Sequence, residues 1–294
     1  MREPAPAIRS PRDPQRQVRA RVTRFAGAGA TDARDELAIE EPLELRAPGI
    51  AGAAPSSIAV IMRTPGHDAE LAAGFLLSEG LIERAVELAS FAPGSDGDGL
   101  PTDNVLEVHL AGGLDLAARA RERGYSRQFA VTASCGICGK HTVDAACAAL
   151  PAVTSRALSL TAATLYALPE RLRAEQRVFH DTGGLHAAAL FAADGALVAL
   201  REDIGRHNAV DKLIGRALLD GALPLDQRAL LVSGRLSFEI VLKALVAGVP
   251  LLAAVSAPSS LAVDLAERGG ITLVGFLRGN TMNVYTHGWR VTAG

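Results

Sequence analysis

From residue 208 to residue 276 the chain alternates helix-length and strand-length apolar segments, with only short polar breaks between them. Residues 208–219, 238–247 and 261–267 read as helices, and 229–232, 251–255 and 271–276 as brief aliphatic strands. Strand, helix, strand, helix, strand at this pitch predicts parallel pairing with right-handed crossovers. Just upstream, residues 185–191 and 196–200 flank Asp194 and Gly195 and read as a hairpin. This half is expected to be α/β.

The first half has a different grain. Residues 38–46 alternate apolar and polar side chains as a half-buried strand does, and 58–62 reads as its partner. Thr64 to Asp68 forms a turn with helix-start character, and Leu71, Phe75 and Leu76 keep helical spacing until Gly80. A polar loop over 96–103 precedes another strand at 105–110. The expected organisation is a disordered basic arm over 1–24, a small α+β domain over 25–130 and an α/β domain over 131–294, with order setting in near Ala38. The arm rests on Arg2, Arg9, Arg12, Arg16, Arg19, Arg21 and Arg24, interleaved with Pro4, Pro6, Pro11 and Pro14.

With 49% hydrophobic and 21% charged residues, the chain can bury a full core without disulfides or a structural metal. A net charge of −2 argues against bulk binding to nucleic acid or to an anionic membrane, which both need a strongly basic face. No apolar h-region follows the arm, and no run approaches a transmembrane helix in length. Only three cysteines are present, which suits a reducing compartment. The expected location is the cytoplasm.

Two of those cysteines, Cys135 and Cys138, stand three residues apart beside Gly136 and Gly139, with Lys140 and His141 directly behind. Both sulfurs can share one tight turn, and cationic neighbours favour thiolate over thiol. Such a site could handle sulfur, electrons or a soft metal. Cys147, in an alanine-rich helical stretch after residue 142, reads as a small core residue.

In parallel sheets, ligands bind beyond the carboxyl ends of the strands. Three loops take that position: Ser233, Gly234 and Arg235; residues 256–260; and Arg278, Gly279 and Asn280. Loops that open into helices offer free N–H groups to an anion, and Arg235, Lys243 and Arg278 could add charge. The set reads as a phosphate or nucleotide pocket, although none is a Walker or GxGxxG pattern. Asp203, Arg206, His207, Asn208, Asp211 and Lys212 crowd one strand-to-helix junction. A capped helix start explains them, and so does a binding loop. His180, Asp181 and His186 form a second polar cluster, where a histidine working with His207 could move a proton.

Taken in order, these segments resemble the formate dehydrogenase accessory sulfurtransferases, the FdhD/NarQ family. The resemblance spans about residues 35–287. It rests on residues 74–82 (Gly-Phe-Leu-Leu-Ser-Glu-Gly-Leu-Ile), the Cys135–Cys138 turn, residues 182–186 (Thr-Gly-Gly-Leu-His) and residues 201–212. It continues through Ser233, Gly234 and Arg235, then residues 256–258, residues 275–278 and residues 283–285. The resemblance implies a protein that accepts a persulfide sulfur from a cysteine desulfurase. It passes that sulfur to the bis(molybdopterin guanine dinucleotide) molybdenum cofactor destined for formate dehydrogenase. It further implies a cytidine-deaminase-like α/β domain with a smaller N-terminal domain, and a homodimer. Cys135 then carries the persulfide with Cys138 as its partner, and the guanine dinucleotide falls to Phe276, Leu277, Arg278, Gly279, Asn280 and Thr281. At Thr281 the family often has a second basic residue.

Three other functions share parts of this pattern. A zinc deaminase needs H-x-E with P-C-x-x-C, but Ser134 precedes Cys135 here and His67 to Glu70 has the wrong spacing. A thioredoxin-like oxidoreductase would place its CxxC in an N-terminal βαβ unit. A cofactor chaperone that never moves sulfur would carry the same nucleotide pocket.

Overall fold

A computed structural model of the chain describes residues 15–49, 54–123, 130–131 and 152–293. The first elements are β1 (Gln17–Ala26) and β2 (Gly29–Ala38), an antiparallel ribbon turning at Gly27 with φ +60°. This corrects the expectation of disorder through residue 24 and of order only from Ala38. The overlooked signal is Val18, Ala20 and Val22 at period two, masked by the arginines between them. Val18 pairs with Leu37 and Val22 with Ala33, while Arg19 Nε meets Glu36 Oε1 at 2.5 Å.

A five-stranded sheet follows. Strands β3 (Glu41–Ala47) and β4 (Ser56–Arg63) pair antiparallel, as expected, and lead into helix α1 (Asp68–Ser78). The hairpin of β5 (Leu88–Ser95) and β6 (Pro101–Leu110) turns through residues 96–100, so Pro101, Thr102 and Asp103 of the expected polar loop belong to the strand instead. Helix α2 (Leu116–Glu122) and the short β7 (Ala130–Val131) complete a sheet of order β5-β6-β3-β4-β7. Strand β5 and helix α2 were not legible in the sequence.

The second sheet is larger. After β8 (Leu160–Thr161), helices α3 (Ala162–Glu175) and α4 (Arg177–Thr182) precede the hairpin of β9 (His186–Phe191) and β10 (Leu197–Asp203). Pro169 lies inside α3 and obscures it from sequence. Helix α5 (Arg206–Leu219) then leads to β11 (Ala229–Val232), α6 (Phe238–Val246), β12 (Leu251–Ala254), α7 (Ser260–Gly269) and β13 (Thr272–Arg278). Strands β11, β12 and β13 run parallel, as the alternation required. The antiparallel β14 (Thr281–Val284) extends the order to β10-β9-β11-β12-β13-β14, and β15 (Val291–Thr292) pairs with β8.

The aliphatic runs are sandwiched. Leu230, Leu252 and Leu273 face one apolar cluster, whereas their neighbours Leu231, Leu251 and Val274 face another. The first cluster also holds Leu43, Leu45, Leu71 and Leu76, so the two large sheets share one core. Helices α1 and α5 form the seam between them. A Cβ at Gly74 would overlap the Asp211 carbonyl, and one at Gly215 would overlap the Glu70 carbonyl. Two glycines therefore let the helix backbones approach closer than any side chain allows. No helix among the described residues is long and apolar enough to cross a membrane.

Candidate functional site

Cys135, Cys138 and Cys147, with Lys140 and His141, lie outside the described residues. The described part of the candidate site is the rim formed by the carboxyl ends of β11, β12 and β13. Its three loops are stitched together by main-chain bonds. Leu236 N donates to Ala257 O at 3.1 Å, Ser259 N to Leu236 O at 2.9 Å, and Phe276 N to Ser256 O at 3.1 Å. Ser233 adds a link to β9, its N donating to Ala187 O at 2.9 Å and its Oγ accepting from Ala187 N at 2.9 Å. The three loops are thus fastened to one another and to β9.

The segment expected to meet the guanine dinucleotide divides by burial. Leu277 is completely buried among Val274, Leu251 and Phe191, so its side chain anchors the strand. Arg278, Gly279, Asn280 and Thr281 form the exposed turn between β13 and β14. Phe276 is half-buried at φ +51°, a left-handed conformation costing an L-residue about 1–2 kcal/mol. It sits where the β13–β14 register shifts, and the Arg278 guanidinium lies 5.6 Å from its ring centroid. Gly275 leaves little room for a side chain, since a Cβ there would meet Pro258 Cδ and Tyr285 Cε2, each at 3.0 Å. The turn thus offers an aromatic face, a cation and main-chain N–H groups together. Thr281 Oγ1 is committed to Arg278 O at 3.1 Å.

The crowded junction at 201–212 is mostly structural. Asp203 is fully buried and meets Lys212 Nζ at 2.6 Å. It also accepts from Gly205 N at 2.8 Å, Asn208 Nδ2 at 2.8 Å and Thr64 N at 3.2 Å. Asn208 Nδ2 reaches Met62 O at 2.7 Å, and Lys212 Nζ reaches Thr64 O at 2.8 Å. Arg201 grips Glu70 with two bonds of 2.5 and 2.7 Å. Asp211 binds Lys243 Nζ at 2.8 Å through each oxygen and accepts from Ser78 Oγ at 2.9 Å. Burial pushes the Asp211 carboxyl up and the Lys212 ammonium down, while their ionic partners pull the other way. The reading of Lys243 as a ligand cation is therefore corrected: it is buried and neutralised by Asp211.

Three basic groups of this region do reach the rim. His207 Nε2 lies 3.2 Å from Ser237 Oγ and 3.9 Å from Glu239 Oε2. His186 and Arg206 flank Gly234. Burial first, and then the Arg206 charge, push the His186 imidazole below its ordinary pKa, favouring the neutral ring near neutral pH. His180 stays apart, 87% exposed and 3.3 Å from its neighbour Asp181, which also accepts from Gln17 Nε2 at 3.2 Å. Among the described residues no group of three or more His, Cys, Asp or Glu is placed to hold a metal. A cavity of about 290 Å³ opens elsewhere, at the amino end of β11, lined by Leu213, Arg216, Asp220, Pro224 and Arg228. It contains none of the rim residues.

These features define a mixed α/β protein with a basic and aromatic rim beyond its central parallel strands. A family model described as the FdhD/NarQ family matches residues 38–292, and the chain belongs to that family. It is 50% identical over 277 residues to the sulfur carrier protein FdhD of Streptomyces coelicolor, covering 93% of this chain and 95% of that one. It is 44% identical over 260 residues to the sulfur carrier protein FdhD of Sulfurisphaera tokodaii, covering 87% and 92% respectively. The fold matches a crystal structure described as that of a formate dehydrogenase accessory protein from Desulfotalea psychrophila, with a TM-score of 0.68 at 23% identity. That match covers 94% of this chain and all of the other.

Proposed function

We propose that this chain is a cytoplasmic sulfurtransferase that carries sulfur to a molybdenum cofactor. The observation that carries the reading is the Cys135–Cys138 pair in a chain about half identical to proteins named as sulfur carriers. The Cys135 thiolate attacks the outer sulfur of a cysteine desulfurase persulfide. The donor's S–S bond breaks, its cysteine leaves as thiolate, and Cys135 holds the sulfane sulfur as a persulfide. The acceptor is the bis(molybdopterin guanine dinucleotide) cofactor, bound as cargo, and the client is formate dehydrogenase. If Cys138 then attacks the inner sulfur, hydrosulfide departs toward the molybdenum and a Cys135–Cys138 disulfide remains, to be reduced by a dithiol. If Cys138 only tunes Cys135, no disulfide forms.

The turn from Phe276 to Thr281 suits the guanosine end of the cargo: Phe276 offers stacking, and the exposed Arg278 and Gly279 offer a cation and a main-chain donor beside it. The cytidine-deaminase-like architecture and a homodimer belong to the same reading. The test is mass spectrometry of the chain after incubation with a cysteine desulfurase and free cysteine. Wild type and Cys138→Ala should gain one sulfur at Cys135, and Cys135→Ala none. A wild-type chain that binds guanine nucleotide but gains no sulfur would leave a cofactor chaperone instead.

A further inference from the structure

Arg206 is unlike the other charged residues of its segment. Arg201, Asp203, Asp211 and Lys212 all have ionic partners, whereas Arg206 has no hydrogen bond or ion pair among the described residues. Its Nε is sealed from solvent with nothing to donate to. An orphaned buried donor is destabilising unless something supplies an acceptor. Gly234 lies against the same side chain. A Cβ built there would lie 3.4 Å from Arg206 Cδ and 3.5 Å from both Arg206 Cβ and His186 Nδ1. These are ordinary contact distances, so the bare Gly234 main chain lies between the guanidinium stem and the imidazole with room for a methyl group. Arg206 is also the first residue of the 14-residue helix α5, whose amino end adds positive potential.

We propose that Arg206 and His186, with the Gly234 main chain between them, form a phosphate subsite. This rests on the nucleotide reading of the rim. The ligand is the diphosphate of the guanine nucleotide whose base end lies at the Phe276 turn. Strands β11 and β13 are separated by β12 alone, so the two positions lie about 10 Å apart, a span that a ribose and diphosphate can cover. The loop after β12 joins them, since Ser256 O accepts from Phe276 N while Ala257 O accepts from Leu236 N. The Arg206 fork takes phosphate oxygens, and His186 donates through whichever ring nitrogen carries its proton.

The test compares GDP, guanosine and inorganic pyrophosphate by calorimetry on wild type, Arg206→Ala, Arg206→Lys and Gly234→Ala. Arg206→Ala should weaken GDP and pyrophosphate about tenfold to a hundredfold and leave guanosine unchanged. Arg206→Lys should recover part of the loss. Gly234→Ala fits sterically and keeps both basic groups, so it should fold with a wild-type melting curve while weakening pyrophosphate by filling the space. If Arg206→Ala weakens guanosine as much as GDP, or leaves GDP and pyrophosphate unchanged, the proposal is overturned. If wild type binds pyrophosphate through Arg206 but neither GDP nor guanosine, the subsite stands and the nucleotide reading of the Phe276 turn fails. A wild type that binds none of the three overturns both.

Discussion

The seam between helices α1 and α5 and the rim beyond β11 draw on the same stretch of sequence and use it in opposite ways. In the seam, Asp203, Asn208, Asp211 and Lys212 are buried and each is bonded, to Thr64, Met62, Ser78 or Lys243. At the rim, Arg206 keeps a sealed, unbonded Nε and His186 is only half-buried. Crowding of charge is common to both. Satisfaction of charge separates them, and it distinguishes groups that hold the fold from groups left to meet a ligand.

The contrast breaks most easily in the seam. Asp211→Ala would strand the Lys243 ammonium in the core, and losing one partner of a buried pair costs about 3–5 kcal/mol. Chemical denaturation should show that loss, and a wild-type midpoint would mean the pair is not structural.

Glu70 comes next. Burial would raise its pKa, but hydrogen bonds from Arg201 and then His67 outweigh it and hold the carboxyl at about 2. A carboxyl lowered on folding stabilises the protein above its unfolded pKa, near 4.5, and that contribution is lost as pH falls toward 2. The contribution is on the order of 3 kcal/mol. Glu70→Gln should therefore lower stability at neutral pH and flatten the acid limb of the stability profile between those values. An unchanged acid limb would detach Glu70 from Arg201.

Gly74→Ala should cost about 1–3 kcal/mol by forcing the two helices apart, read as a lower melting temperature. Smallest is Arg206→Ala, which removes an unsatisfied donor rather than a bond and should leave the melting temperature at or above that of wild type. A large loss there would move Arg206 into the seam and remove the contrast.

Much of this was legible in advance. The parallel strands could be placed because aliphatic runs such as 229–232 have no other stable home than a covered sheet, and the hairpin at 185–200 carried its turn residues openly. The ribbon of β1 and β2 escaped because arginines stand between its period-two valines and alanines and continue a run of Arg and Pro from upstream, so composition outweighed pattern. Helix α3 escaped because Pro169 reads as a breaker. The division of labour within 201–212 could not be read at all, since the partners Thr64, Ser78 and Lys243 lie far away in sequence. Gly74 and Gly215 did carry a signal, as glycines within otherwise apolar helices, but only the crossing of α1 and α5 explains it.

The central claim is that one sulfur atom rides on Cys135 from donor to cofactor. Cysteine labelled with radioactive sulfur and a desulfurase should place label on Cys135 of the wild-type chain, and adding the bis(molybdopterin guanine dinucleotide) cofactor should move it from protein to cofactor. Cys135→Ala should deliver none. Label that reaches the cofactor at the wild-type rate through Cys135→Ala would contradict the account.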